Sequence, residues 1–387
     1  MRLTRDDRSV LADWWFTVDR HLLAVLLALI GIGCVLSLAA SPAVAVKKGL
    51  PPFYFAERHF LFAGLGLAVM LTVSALSPRQ IRRLALILLL TSLALMAWTL
   101  LEGPEIKGAR RWVRLLGYSF QPSEIGKPAL VVLVAWLFSE STVRDDVPAV
   151  PLAVATGLVF AGLLVVQPDV GQTLLVACVW GALFLLSGQP LRWALALVPV
   201  GAAGFGGAYF AFDHVRRRVW RFIDPSSGDN YQVERAIQSF SEGGLMGRGP
   251  GEGVIKSVLP DAHTDFIFAV IGEEYGVLAC LGLVALYAVV AARAFRHAWR
   301  EPDAFVRLAV IGLSLLIVLQ ALINMGVNVG LLPAKGMTLP FLSAGGSSTV
   351  ATSLTAGMLL ALMRRRPDPS RVRKPQLRPT HAGIVAR

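Results

Sequence analysis

The chain has 387 residues, 55% of them hydrophobic and 16% charged, with a formal net charge of +12. Charge-poor stretches near the roughly 20 residues that a bilayer-spanning helix needs recur from start to finish, so the fold class is all-α and the protein is a polytopic integral membrane protein. The positive charge sits on no soluble domain, which excludes a nucleic-acid partner; in such a chain Lys and Arg mainly set topology.

Residues 1–20 are polar and charged and read as a cytoplasmic segment with no cleavable signal peptide. Apolar runs follow at about 21–41, 59–76, 84–101, 124–139, 151–166, 170–187, 193–212, 266–292, 304–328 and 346–363. They predict a ten-helix membrane domain over 21–363, with a long outward loop at 213–265 between helices 7 and 8. At "VVQPDVGQ" a proline beside a charge interrupts a continuous apolar stretch, which predicts two short spans meeting at one membrane face. Cys34, Cys178 and Cys280 each stand alone in an apolar run, fit neither a disulfide framework nor a metal-ligand spacing, and read as small packing residues.

With both ends inside, 21 of the 37 lysines and arginines fall on the cytoplasmic side and 15 outside, with Lys127 within a span. The tail 364–387 contributes most of the bias and, being rich in proline and arginine, is expected to be disordered. Two outward loops run against it. They are "GPEIKGARRWVRLLGYSFQPSE" at 103–124 and the loop that begins "DHVRRRVWRFIDP". Basic groups kept outside suggest an anionic ligand at that face. In "HVRRRVWRFI", Val215, Val219 and Phe222 share one face and Arg217, Arg218 and Arg221 another, the pattern of a short helix lying in the membrane interface.

Three outward stretches concentrate polar groups. In "LPDAHTDFIFAVIGEEYG" (259–276), Thr264 or Asp265 is placed to cap a helix, where a carboxylate is stabilised by the helix dipole. Glu273 and Glu274 would then lie roughly 12–14 Å further along. At about 80° from Asp265 around the axis, Glu273 is the one expected to share its cavity; Glu274 falls about 180° away. Carboxylates inside a membrane are costly and are functional suspects by default. In "QPSEIGKPAL" (121–130), Glu124 and Lys127 stand three apart on one helix face. Lys127 has Glu124 as a local partner, with Asp265 as the alternative from another helix. In "NVGLLPAKGMTLPFLSAGGSSTV" (328–350), Gly, Pro and Ser forbid a regular span, so this backbone should be buried or line a cavity. Its "GGSS" offers amides and hydroxyls at a helix N-terminus, suited to an anion or simply to close packing.

Taken together, "KGARRWVRLLGYSFQPSEIGK", "QPDVGQTLL", "YQVERAIQSFSEGGLMGRGPGEG", "LPDAHTDFIFAVIGEEYG" and "GLLPAKGMTLPFLSAGGSS" resemble the SEDS family (shape, elongation, division and sporulation), the group containing FtsW, RodA and SpoVE. The likeness runs from about residue 20 to 365, and "PAKGMTLPFLS" is nearer the division members than the elongation members. Ala344 departs from the family, many of whose members have Tyr there.

The resemblance implies a ten-helix inner-membrane peptidoglycan glycosyltransferase, a lipid II polymerase working at the outer leaflet, both termini cytoplasmic, at the division septum. It implies a class B penicillin-binding protein (an FtsI-like transpeptidase) and other divisome membrane proteins as partners, beside membrane lipid. Asp265 of "HTDF" is the family's catalytic carboxylate, and Arg111 and Lys127 its important basic residues. Gln121, Glu124, His263, Glu273 and Ser347 carry over as pocket candidates. A divalent cation stays open, since no paired-carboxylate or His/Cys spacing demands one. A lipid II flippase would need charges leading across the membrane and repeat symmetry, and a divisome scaffold would need no polar groups in its helices. Clustering of the motifs towards one face favours the enzyme.

Overall fold

A computed structural model describes residues 9–106, 109–115, 117–144, 146–211, 216, 220, 231–333 and 336–365. Ten long helices match the ten apolar runs one for one. They are α2 (Arg20–Lys47), α3 (Tyr54–Ser74), α4 (Pro78–Glu102), α5 (Pro122–Glu140), α6 (Ala149–Val166), α7 (Val170–Leu186), α8 (Leu191–Ala211), α10 (Ile267–Arg300), α11 (Ala304–Asn328) and α12 (Gly346–Leu362). Two short helices, α1 (Val10–Thr17) and α9 (Tyr231–Gly243), lie at opposite ends of the bundle. By length and composition α2, α3, α4, α6, α10 and α11 qualify as membrane spans, with α7 and α12 as shorter apolar helices. The break at "VVQPDVGQ" falls where expected, α6 ending at Val166 and α7 starting at Val170.

Helix ends follow local rules. Asp19 caps α2, and Ser77 and Gln80 form a reciprocal capping box before Pro78 opens α4. Asp303 accepts the first amides of α11. The interior is built on α5 and α12, which are buried on nearly every side and so need no polar face. α12 runs along α3, and small residues let them close up: a Cβ on Gly66 would meet Ser353, and one on Gly357 would meet the backbone of Met70.

Two features depart from a plain bundle. Between α4 and α5 the chain forms two small antiparallel hairpins, β1 (Glu105–Ile106) with β2 (Ala109–Arg110) and β3 (Val113–Leu115) with β4 (Tyr118–Phe120). The second turns through Gly117 at φ 79°, a conformation open to glycine. The other departure is a break in α10 at Gly276, whose φ of 78° and ψ of 176° leave a short segment 267–275 ahead of the long remainder. A Cβ there would stand 2.3 Å from the Leu245 carbonyl oxygen, because the strap 244–249 crosses α10 at this point.

Of the long loop 213–265, α9, the strap and the turns leading to α10 are described. The interfacial helix expected around 214–223 lies outside the described residues, apart from Arg216 and Trp220, and so does the tail from 366. Of the irregular backbone expected to be buried, 337–343 is so, with Met337, Leu339, Phe341, Leu342 and Ser343 all inaccessible, whereas Val329, Leu331 and Leu332 before it are exposed.

Candidate functional site

The polar residues converge at the bundle end that carries the hairpins, the strap and the 329–345 segment. They form three connected groups.

The first is a hub under the hairpins. Lys127, one turn into α5 and only 2% exposed, donates to Glu124 Oε1 (3.0 Å), Gln172 Oε1 (2.7 Å) and Gln320 Oε1 (3.2 Å). That accounts for all three ammonium protons, the condition under which a buried lysine is tolerable. Gln172 also donates to Glu124 Oε1 (2.8 Å), while Gln320 donates to the Thr338 carbonyl, and Thr338 pairs with Ser348. Above it, Arg111 Nη1 reaches Asp169 Oδ2 (2.6 Å), which also accepts from Gln121 (3.0 Å). Asp169 is itself the cap of α7. The Arg111 Nε is buried without a partner. Two cations therefore face two carboxylates, and the donor left unspent belongs to Arg111.

The second group is the turn that carries Asp265. The Asp261 carbonyl, at a backbone φ of 53°, accepts the amides of Thr264 (3.0 Å), Asp265 (3.1 Å) and Phe266 (3.4 Å). The Asp265 carbonyl accepts from Asn324 (2.9 Å) and Asn328 (3.0 Å) on α11. On the other side the 336–344 segment clasps the turn. Ser343 donates to the Thr264 carbonyl (2.5 Å), and the Ala344 amide to that of His263 (2.9 Å). The half-buried Asp265 carboxylate lies beside Gly336, where an added Cβ would approach Oδ2 to 3.4 Å. His263 is buried with its ring 4.4 Å from that of Phe55, and Ser347 is half-buried in the first turn of α12.

One expectation is corrected here, and one choice between partners is decided. Neither Thr264 nor Asp265 caps α10: the cap position is Phe266, and the Ala269 amide is met by Asn328 Oδ1 from another helix (3.1 Å). The capping task is done in trans, so the turn before the helix takes its shape from α11. Of the two partners weighed for Lys127, it takes Glu124 and not Asp265. Its three acceptors are those of the hub, and the link to the Asp265 turn runs along α11 through Gln320, Asn324 and Asn328, four residues apart and all buried. That stripe was missed from the sequence. Its signal was there, three amide side chains at i, i+4 and i+8 in an apolar helix.

The third group corrects the role expected of Glu273. Its carboxylate accepts the amides of Val254 and Ile255 (2.6 Å each, at Oε1) and of Lys256 (3.0 Å, at Oε2). It caps the short 3₁₀ turn Ile255–Ser257, so both of its oxygens are taken up by backbone amides rather than offered to a cavity shared with Asp265. Glu274 pairs with Lys256, whose ammonium also reaches the carbonyls of Gly251 (2.9 Å) and of Ala39 in α2 (3.3 Å). Backbone bonds from Arg248 to Glu273 (2.9 Å), Gly249 to Glu274 (3.0 Å) and Val277 to Gly244 (3.0 Å) complete this latch. Among the described residues no group of three or more His, Cys, Asp or Glu is placed to hold a metal ion.

Comparison with known proteins gives the family and the fold. The family described as "Cell cycle protein" (FtsW, RodA, SpoVE) matches residues 20–367. A "Probable peptidoglycan glycosyltransferase FtsW" of Caulobacter vibrioides is 46% identical over 364 residues, covering 94% of this chain and 93% of that one. One from Thiomicrospira cyclica is 37% identical over 358 residues, covering 89% and 91%. Among solved structures, a chain from work described as "Structural coordination of polymerization and crosslinking by a peptidoglycan synthase complex" superposes with a TM-score of 0.74 at 31% identity, covering 90% of this chain and 98% of its own. The rod shape determining protein RodA of Thermus thermophilus gives 0.67 at 29%, covering 90% and 97%.

Proposed function

The chain belongs to the FtsW, RodA and SpoVE family and is a multi-pass membrane peptidoglycan glycosyltransferase, and from that premise we propose that it polymerises glycan strands from lipid II with Asp265 as general base. The reading rests on one observation: Asp265 is the carboxylate on the turn that α11 and the 336–344 segment hold from both sides. A base fixed in this way takes the proton from an acceptor hydroxyl as that oxygen attacks the anomeric carbon of the lipid-linked donor. The bond to the pyrophosphate breaks with its electron pair leaving on the phosphate oxygen, and configuration inverts. Because pyrophosphate is already a competent leaving group, a second carboxylic acid is not required, unlike the two-carboxylate glycosidase arrangement.

The developing anion needs donors aimed at it. Arg111 is suited to the task, with its Nε unspent and its guanidinium steadied by Asp169. Lys127 supports from beneath, holding Glu124, Gln172 and Gln320 in place rather than offering a proton of its own. The chemistry belongs at the outer leaflet, with both termini cytoplasmic and the protein at the septum of the inner membrane. The partner that crosslinks the product is a class B penicillin-binding protein, in keeping with the superposition on a chain of a peptidoglycan synthase complex.

The test supplies lipid II to the purified protein together with its partner, the latter inactivated in transpeptidation, and reads glycan polymer. Asp265→Ala should lower the rate at least about 10²-fold, the lower bound for a positioned base, without changing the melting temperature by more than a few degrees. Equal polymer from both proteins would remove Asp265 from the chemistry.

A further inference from the structure

The hairpin β3–β4 presents more than the anion-facing cluster at its base. Tyr118 stands at the hairpin tip, paired with Leu115 across the Gly117 turn. The residue remains 37% exposed while its ring is fixed from two directions. The Arg58 guanidinium lies 4.8 Å from the ring centroid, and Phe62 meets it edge-on with centroids 5.3 Å apart at 89°. Arg58 is itself held by the Tyr54 hydroxyl (2.8 Å) and stands 5.5 Å from that ring's centroid. Phe62 in turn backs on to Gly346 of the "GGSS" turn, where an added Cβ would be 2.6 Å from the ring. An exposed ring immobilised by a cation and a second ring loses little entropy when a ligand stacks on it.

The placement identifies what would stack. Tyr118 is three strand residues from Gln121, which shares Asp169 with Arg111. At about 3.3 Å per residue the Tyr118 backbone lies about 10 Å from that of Gln121 along one ribbon. A single hairpin thus offers an unspent guanidinium donor at its base and an aromatic face at its tip. That matches a sugar joined to a phosphate: the anion below, and a pyranose above with its C–H face on the ring and its hydroxyls beside Arg58. We propose that Tyr118, fixed by Arg58 and Phe62, is a sugar-binding platform for the glycan part of the substrate. The proposal rests on the reading of function given above.

Binding is measured directly, by native mass spectrometry and saturation-transfer NMR, with a soluble disaccharide-peptide fragment of peptidoglycan as probe and the Asp265→Asn protein as receptor, so that no turnover occurs. Adding Tyr118→Leu should weaken binding about 3- to 10-fold, the range expected for one aromatic contact, whereas adding Tyr118→Trp should retain it. In the catalytically intact protein, Tyr118→Leu should raise KM for lipid II by a similar factor and leave kcat unchanged. Undiminished binding by the leucine variant, or no binding of the fragment by the receptor, overturns the proposal. So does a loss in the leucine variant that follows only its folded fraction, because that would make Tyr118 a fastener of the hairpin. A wild-type protein that binds the fragment yet makes no polymer would strike the proposed function and leave the platform standing.

Discussion

Two clusters of buried charge sit at the same end of this bundle and are stabilised in opposite ways. Around Lys127 the partners are side chains drawn from three helices, so the cluster ties α5, α7 and α11 to one another. Around Glu273 and Glu274 the partners are chiefly backbone amides and carbonyls of residues 251–256 together with the Lys256 ammonium, so the cluster ties a loop to a broken helix. The first makes a floor for the site; the second fixes the segment that leads into the Asp265 turn. Carboxylates alone do not distinguish the two, since all three glutamates are buried.

The contrast can be broken most forcefully at Lys127. Lys127→Met leaves Glu124 charged and buried, which should cost about 3–5 kcal/mol in thermal unfolding in detergent. Adding Glu124→Gln should restore more than half of that loss, since the uncompensated charge goes with it. A double variant no more stable than the single would show that the lysine acts through packing instead.

Glu273→Gln sharpens the other side. One amide of the 254–256 turn loses its acceptor and the rest lose a charged one, a cost of about 1.5–3 kcal/mol. The effect should be local: hydrogen exchange should quicken at Val254, Ile255 and Lys256 and stay unchanged in α5. Faster exchange spread evenly over both regions would contradict the separation.

The smallest effect is expected at the opposite end of the bundle, where Asp19 pairs with Arg293. Burial alone would raise the Asp19 pKa, but the Arg293 guanidinium and the amides of Leu22 and His21 outweigh it and hold it below the usual 3.8. A lowered folded-state pKa gives stability that is present above the unfolded value and fades as pH falls through the folded one. Asp19→Asn should therefore cost about 0.5–1.5 kcal/mol at pH 7, and the gap from wild type should close below about pH 4. A gap that is constant with pH would assign the loss to the helix cap alone.

Much of this fold could be read from the chain because membrane spans are written in local composition. All ten apolar runs became helices, and "VVQPDVGQ" broke where a proline and a charge require it. The buried irregular segment at 337–343 was legible for the same reason. The two small hairpins were not, although Val-Arg-Leu and Tyr-Ser-Phe alternate around Gly117; strands of two or three residues carry too little periodicity to stand out. The site was legible in its members but not in their partners. The sequence marked Arg111, Lys127, Gln121 and Glu124, and the structure draws them into one polar network; Lys127 takes its local partner Glu124 and not Asp265, because Gln172 and Gln320 complete its acceptors. The geometry assigned to Glu273 failed because it assumed a continuous helix from Asp265, whereas Asp265 lies in the turn before Ile267 and backbone amides 17 to 19 residues upstream take the Glu273 carboxylate. Capping of α10 by Asn328 likewise depends on a residue 59 positions away from Ala269. Such contacts are tertiary, and spacing along one helix does not encode them.

We propose that Asp265 does chemistry whereas Glu273 does architecture. The direct test compares Asp265→Asn and Glu273→Gln under saturating lipid II, with initial polymerisation rates expressed per folded molecule. The account predicts a loss of at least about 10²-fold for the Asp265 variant and, for the Glu273 variant, a rate near that of wild type once the folded fraction is accounted for. An Asp265→Asn protein that polymerises at the wild-type rate, or a Glu273→Gln protein that is fully folded and silent, would contradict it.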